Sequence, residues 1–305
     1  MKVIIAGGTG FLGSYLCEHF TRNNDEVIVL TRGVSRITNG VSYVNWDGKQ
    51  FGSWCQSMEN TDVVINLTGK SVDCRYTEKN KKEIIQSRVD ATRVLGEMIS
   101  LMEKPPRLWI NSSTATIYKY SLDKEMDEDN GEIGNDFSMR VAKAWEQSFY
   151  AYDLPKTRQI TARISLVIGE KGGVYPVLKK LAKFGLAGKM GSGKQKFAWI
   201  HIKDLISIID FSITNEKISG PINCTSPENI TNQEFMFELR KSLKVLIGIP
   251  QPKFLLKLGA ILLGTESELI LKSRFVKPKR LLENEFSFQF SNIKSALKEI
   301  TTKSN

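Results

Sequence analysis

At 305 residues, 41% of them apolar and 25% charged, the chain has the composition of an ordinary globular protein and can bury about three quarters of its unfolded surface. That length predicts two domains, or one large α/β domain carrying a smaller lobe. Four scattered cysteines (Cys17, Cys55, Cys74, Cys224) and two histidines without ligand spacing (His19, His201) argue against a disulfide framework or a zinc site, so no metal is expected. The net charge of +10 is uneven: residues 1–150 hold 18 Lys/Arg against 20 Asp/Glu, and residues 151–305 hold 25 against 13. The basic half suits a small anionic substrate, a membrane surface or nucleic acid, or is a solvated face.

Val3–Ala6 predicts a first strand, too short for a leader and with no cleavage site after it, so a cytoplasmic protein with reduced thiols is expected. A helix over 11–22 comes next, carrying Leu12, Tyr15, Leu16, His19 and Phe20 on its apolar side, which makes His19 core-facing. Strands are predicted at Val27–Leu30, Val41–Val44 and Asp62–Leu67, then a long helix Thr77–Met102 that Pro105-Pro106 stops. Leu108–Asn111 is a fifth strand, Asp123–Glu132 an acidic loop, Asp136–Tyr152 a helix and Ile160–Val167 a sixth strand. This alternation predicts a doubly wound parallel sheet of Rossmann type with a smaller C-terminal α/β lobe. Beyond Val167, glycine clusters at 169–173 and 185–193 bracket a helix, and 197–202 reads as a strand returning to the first domain. Helices are predicted at 204–214 and 232–247. The apolar run Phe254–Leu263 is far short of the roughly 20 residues that span a bilayer and reads as a buried helix. The division expected is 1–168 for the nucleotide-binding domain, with return elements at about 197–225, and 169–305 mostly for a substrate lobe.

Ala6-Gly7-Gly8-Thr9-Gly10-Phe11-Leu12-Gly13 falls between the first strand and the first helix, with Gly7, Gly10 and Gly13 in a G-x-x-G-x-x-G spacing. That context serves a tight turn, close backbone approach to a pyrophosphate and anion binding at the helix N-terminus. The second strand ends in Thr31-Arg32, where an NAD site carries an acid for the ribose hydroxyl. An arginine there favours a 2′-phosphate, hence NADP(H), unless it is only a solvated loop residue. A second glycine run, Gly188 to Lys194, fits a P-loop spacing. Gln195 replaces the hydroxyl that magnesium needs, so ATP binding is not expected, although the loop and Lys194 suit a substrate phosphate.

AGGTGFLG, DVVINLTG, SSTATIY, RISLVIG and FAWIHIKD together resemble the extended short-chain dehydrogenase/reductases, and GSGKQ, NCTSPENITNQEF and KPKRLLE point to their atypical epimerase-family branch. The resemblance covers the whole chain. It implies that Gly7, Gly10, Phe11, Leu12 and Gly13 line the pyrophosphate and that Thr31 and Arg32 meet the adenosine ribose. It also implies Leu67, Thr68 and Gly69 along the far ribose, Glu83 and Arg88 facing the cofactor, and Val167 touching the nicotinamide. Packing for Leu67 and Val167, and a surface pair for Glu83 and Arg88, are the alternatives.

The family's Tyr-x-x-x-Lys places a proton donor four residues before a lysine, beside a Ser or Thr that orients substrate. Thr114 and Lys143 match the hydroxyl and the lysine, but Met139 stands where the tyrosine belongs. On a helix, 139 and 143 share a face, opposite Phe137, Val141 and Trp145. Tyr118 and Tyr120 are substitute donors or packing residues, Arg75 is an anion anchor or a solvated side chain, and His201 reads as structural. The resemblance thus implies an NADP(H)-binding oxidoreductase or epimerase acting on a small anionic molecule, such as a phosphate-bearing one. A non-catalytic NADP(H) sensor or partner-binding protein is the alternative. A monomer or homodimer is expected, with neither nucleic acid nor membrane as a partner.

Overall fold

The computed structural model describes residues 1–264, Glu266 and residues 268–303. In chain order come β1 (Lys2–Ala6), α1 (Phe11–Arg22), β2 (Glu26–Thr31), β3 (Arg36–Thr38), β4 (Val41–Asn45), β5 (Val63–Asn66), α2 (Glu78–Leu101), β6 (Leu108–Thr114), α3 (Phe137–Phe149) and β7 (Arg158–Ile164). They are succeeded by β8 (Leu166–Gly169), β9 (Gly172–Gly173), α4 (Tyr175–Lys183), β10 (Trp199–His201), α5 (Ile202–Thr214) and β11 (Gly220–Cys224). Helices α6 (Asn232–Ser242), α7 (Lys253–Leu263), α8 (Glu268–Leu271), α9 (Lys279–Glu283) and α10 (Ile293–Lys303) complete the order.

Eight strands form one sheet in the order β11-β7-β6-β5-β1-β2-β4-β3, parallel throughout except for the β3–β4 hairpin. Along β1, Val3 and Ile5 enter the core beneath α1 and α5, while Ile4 and Ala6 enter the opposite core beneath α2. Both faces are covered, which is why the strand is apolar without alternation. From β1 the chain builds outward through β2 and β4, then returns to the other side for β5. The crevice between the carboxyl ends of β1 and β5 is therefore the switch point, where open α/β sheets bind ligands.

Four elements differ from the sequence reading. Ile160–Val167 breaks at Ser165: its N–H turns to Cys224 O (3.1 Å), and Leu166 N bonds Ala198 O (3.2 Å), so β8 leaves for a small sheet with β10 and β9. The helix expected over 232–247 ends at Ser242, because Lys244 takes a left-handed φ of 57°. His19 is not in the core; its ring lies at the seam of α1 and α5, with Nε2 2.7 Å from Asp210. Helix α7 is not buried either: Leu256 packs against a second core beside α4, α6 and α10 and Ala260 is buried, while Phe254, Leu258 and Ile261 are exposed. No helix among the described residues is long and apolar enough to cross a membrane.

A buried ion pair joins α3 to the sheet. Arg163 on β7 holds both carboxylate oxygens of Glu146 (Nε 2.9 Å, Nη2 2.7 Å) and donates to Tyr118 Oη (2.7 Å). Ser113 Oγ donates to the same carboxylate at 2.7 Å. Burial alone would pull the guanidinium down; Glu146 holds it above its ordinary value. Removing one partner strands the other charge without solvent. Glu146→Ala should cost about 3–5 kcal/mol in urea denaturation, and a Glu146→Leu/Arg163→Met double variant should recover most of that loss.

Candidate cofactor and substrate site

Three glycines of the first turn are required by the protein itself. Gly7 has φ +76°, and a Cβ there would sit 3.1 Å from the Thr68 backbone; at Gly8 it would lie 2.8 Å from Val29. At Gly13 it would come within 2.4 Å of Gly8 Cα, where α1 crosses the strand end. Gly10 is different. A Cβ there would meet nothing nearer than Gly7 O at 3.8 Å, so the open position faces space and not protein. Gly10 is also the N-cap of α1, with no capping side chain and no acid in the first turn. The N–H groups of Phe11, Leu12 and Gly13 therefore lack intrahelical acceptors at the positive end of the helix, which fits a pyrophosphate. The Phe11 ring lies across Gly169, Gly172 and Gly173, whose missing side chains give it room. Leu12 packs on the first core.

At the end of β2, Thr31 is buried and its hydroxyl accepts from Gly33 N (3.2 Å), while the Arg32 side chain is exposed. Arg36, which the sequence pattern did not single out, stands beside this turn. Its guanidinium lies over the Tyr43 ring at 4.2 Å and bonds Val34 O at 3.2 Å. The β3–β4 hairpin that brings it there is exposed at all three β3 positions and shows no apolar signal.

The β5 end supplies a second observation. Leu67 N bonds Ala6 O (2.9 Å) and Thr68 N bonds Asn66 Oδ1 (3.0 Å), which fixes the turn, yet Thr68 Oγ1 is buried with no protein partner. A buried hydroxyl without a partner beside the switch point fits a ligand oxygen. Glu83 and Arg88 do not pair with each other. Glu83 and Asn80 grip the Lys70 ammonium, which holds the Glu83 carboxyl below its usual range. Arg88 lies under Gly69 and over Trp145 (4.9 Å), bonding Lys70 O and Ile84 O at 2.9 Å each. Burial lowers its guanidinium to about 10. Both residues brace the 67–70 turn from α2.

On the substrate side, the Thr114 hydroxyl caps the next turn by accepting from Thr116 N (3.2 Å), and Lys143 Nζ reaches Asn135 Oδ1 (3.4 Å). Met139 is only 4% exposed, its sulfur wedged where a Gly134 side chain would stand. It joins the buried side of α3 with Val141 and Trp145, so it does not share an open face with Lys143 as the helical spacing suggested. Tyr118 is fully committed as a structural residue, accepting from Arg163 and donating to Asn223 Oδ1 (2.9 Å), and Tyr120 is exposed. Tyr76, which sequence reasoning missed, packs edge-on against Phe137 (4.7 Å) in the first turn of α3, with its hydroxyl buried and Ser138 as its polar neighbour. Burial pushes that phenol to about 12, so it stays protonated at neutral pH. Only its place in three dimensions marks it.

The other candidates make contacts within the protein. Arg75 pairs with Glu266 (3.3 Å), whose carboxylate also accepts from Tyr76 N (2.9 Å). The Val167 carbonyl already accepts from Val174 N (3.2 Å). In the 188–194 loop, the N–H groups of Met190, Gly191, Gly193 and Lys194 are taken by Asn232, Gln251, Met190 and Ser192, so these four donors are spent within the protein. His201 is structural: Nδ1 accepts from Lys203 N at the start of α5, and Nε2 lies 3.1 Å from Glu299. Among the described residues, no group of three His, Cys, Asp or Glu side chains is arranged to hold a metal.

The geometry has counterparts in known proteins. The "Epimerase family protein YfhF" of Bacillus subtilis is 33% identical over 301 residues, with 98% of each chain covered. A Staphylococcus aureus epimerase family protein is 31% identical over 304 residues, with 99% of each covered. A crystal structure of human epimerase family protein SDR39U1 with NADPH superposes at a TM-score of 0.89, with 29% identity and 99% coverage of both chains. Residues 251–300 match a domain of unknown function, DUF1731. Residues 3–224 match the model of the NAD dependent epimerase/dehydratase family, and the chain belongs to that family.

Proposed function

We propose that the protein is an NADP(H)-dependent oxidoreductase of the epimerase-like kind, acting in a reducing cytoplasm on a small anionic molecule with a carbonyl or hydroxyl group. The observation that carries the cofactor reading is the pair formed by the open Cβ position at Gly10 and the unpartnered Thr68 hydroxyl, on either side of the switch point. The choice of NADP(H) rests on Arg32 and Arg36, two guanidiniums beside the end of β2 with Thr31 in place of an acid. The human relative bound to NADPH supports it.

When bound, the cofactor supplies or accepts a hydride. Thr114 would orient the substrate oxygen, and the Lys143 ammonium would help hold the cofactor. Arg88 braces the 67–70 turn. Met139 has no proton to give and is packed away, so the donor role falls to Tyr76, protonated and across the first turn of α3.

Three measurements test this reading. Gly13→Ala should destabilise the fold by about 1–3 kcal/mol, because the new methyl meets backbone. Gly10→Ala should keep the wild-type melting temperature and bind NADPH about tenfold more weakly. The opposite pattern would show that the turn is only structural. In fluorescence titrations NADPH should bind at least about tenfold tighter than NADH, since a charged hydrogen bond contributes roughly 1.5–3 kcal/mol. Arg32→Ala should remove most of that preference, and equal affinities in the wild type would overturn it. With a panel of carbonyl acids, NADPH oxidation should fall by about 10²–10⁴-fold in Tyr76→Phe with NADPH affinity retained. In Lys143→Ala, NADPH affinity itself should fall. No oxidation of any panel member would favour a sensor.

A further inference from the structure

Helix α7 carries apolar residues on two sides. Leu256 packs against the second core and Ala260 is buried, while Phe254 (67% exposed), Leu258 (53%) and Ile261 (59%) recur at i, i+4 and i+7 and form one outward stripe. The loop before it adds Leu246 (97%) and Ile247 (66%), again exposed. This loop is fastened to the end of α4: Ile249 N bonds Gly185 O at 2.8 Å, and Ile247 Cγ2 lies 3.7 Å from where a Gly185 side chain would begin. Phe184, also exposed, therefore stands beside the loop. Exposed apolar side chains from three neighbouring segments make a patch that a solitary soluble protein seldom leaves to water.

The charge on these segments has a single sign. Residues 177–190 include four lysines and no Asp or Glu, and residues 239–263 include five Lys/Arg and neither acid. Among them Lys183, Lys244, Lys253 and Lys257 are exposed around the apolar stripe. A second copy meeting this face across a two-fold axis would set these cations against themselves. Nucleic acid would satisfy the cations but leave the aliphatic side chains in water. A surface with anionic headgroups over hydrocarbon satisfies both. We propose that α7, the 245–252 loop and the end of α4 dock the protein onto an anionic lipid bilayer, with α7 lying in the plane of the interface. At 11 residues α7 is about 16 Å long, enough to lie along the surface and too short to cross. This departs from the expectation of no membrane partner.

The test is co-sedimentation of the full-length protein with sucrose-loaded vesicles of phosphatidylcholine alone or with about one third phosphatidylglycerol. The protein should partition at least about tenfold more strongly onto the anionic vesicles, and raising the salt should weaken binding. Leu258→Ser/Ile261→Ser and Lys253→Glu/Lys257→Glu should each reduce vesicle binding by about tenfold or more, with melting temperature and NADPH affinity unchanged. Light scattering should find a monomer in the absence of lipid. The proposal is overturned if the protein ignores anionic vesicles, or if the serine variant binds them as well as the wild type. A dimer in solution that Leu258→Ser/Ile261→Ser dissociates would also overturn it, because the stripe would then be a contact between copies.

Discussion

The close crossing of α1 over the end of β1 governs the rest of the site. A methyl at Gly13 would come within 2.4 Å of Gly8, so the helix axis passes near the strand end only because both positions lack side chains. That approach aims the first turn of α1 at the crevice between β1 and β5, and it sends Phe11 sideways into the glycines of the β8–β9 hairpin. The hairpin in turn belongs to the small sheet shared with β10. The pyrophosphate end and the second core are therefore linked through one phenyl ring, and the geometry of the turn is passed to both.

Much of the fold was legible because the central strands are buried on both faces. Val3–Ala6 and Val63–Asn66 cannot be mistaken for half-exposed strands, and the glycines after Ala6 announce a turn into a helix. The departure of β8 from β7 was not legible: RISLVIG is strand-forming throughout, and only its neighbour changes at Ser165. Helix α7 misled for a related reason. A helix apolar all round reads as buried, and sequence does not say that only the side carrying Leu256 and Ala260 is covered.

At the site, sequence identified positions better than orientations. Met139 stands at the register of the missing phenol, but a loop glycine five residues earlier decides that its side chain is packed inward. Glu83 and Arg88 share one helix, yet each reaches a different part of the 67–70 turn. Tyr76 and Arg36 belong to a loop and a hairpin with no periodicity, and their importance comes from Phe137 and Tyr43, distant in the chain. The buried Arg163–Glu146 pair explains why Tyr118 is unavailable for chemistry: its hydroxyl completes a network that would otherwise leave a charge short of partners.

The mouth of the crevice has a history in time as well as a place in space. The 118–136 loop is closed on itself by Lys119 N to Glu132 O (2.8 Å) and Gly131 N to Asp127 O (3.0 Å), and is tied from outside by the C-terminal segment. Met126 bonds Phe275 and Lys277 through the backbone, Glu128 accepts from Lys279 N, and Asp129 pairs with Lys279 and Arg280. Lys272 ties Asp136, the cap of α3, to Glu268. Lys279 is translated 150 residues after Asp129, a delay on the order of ten seconds or more at about 5–20 residues per second. A ribosome-bound chain thus completes the glycine turn and the switch point well before the 118–136 loop receives its C-terminal ties. During synthesis, the crevice is made first and its border last.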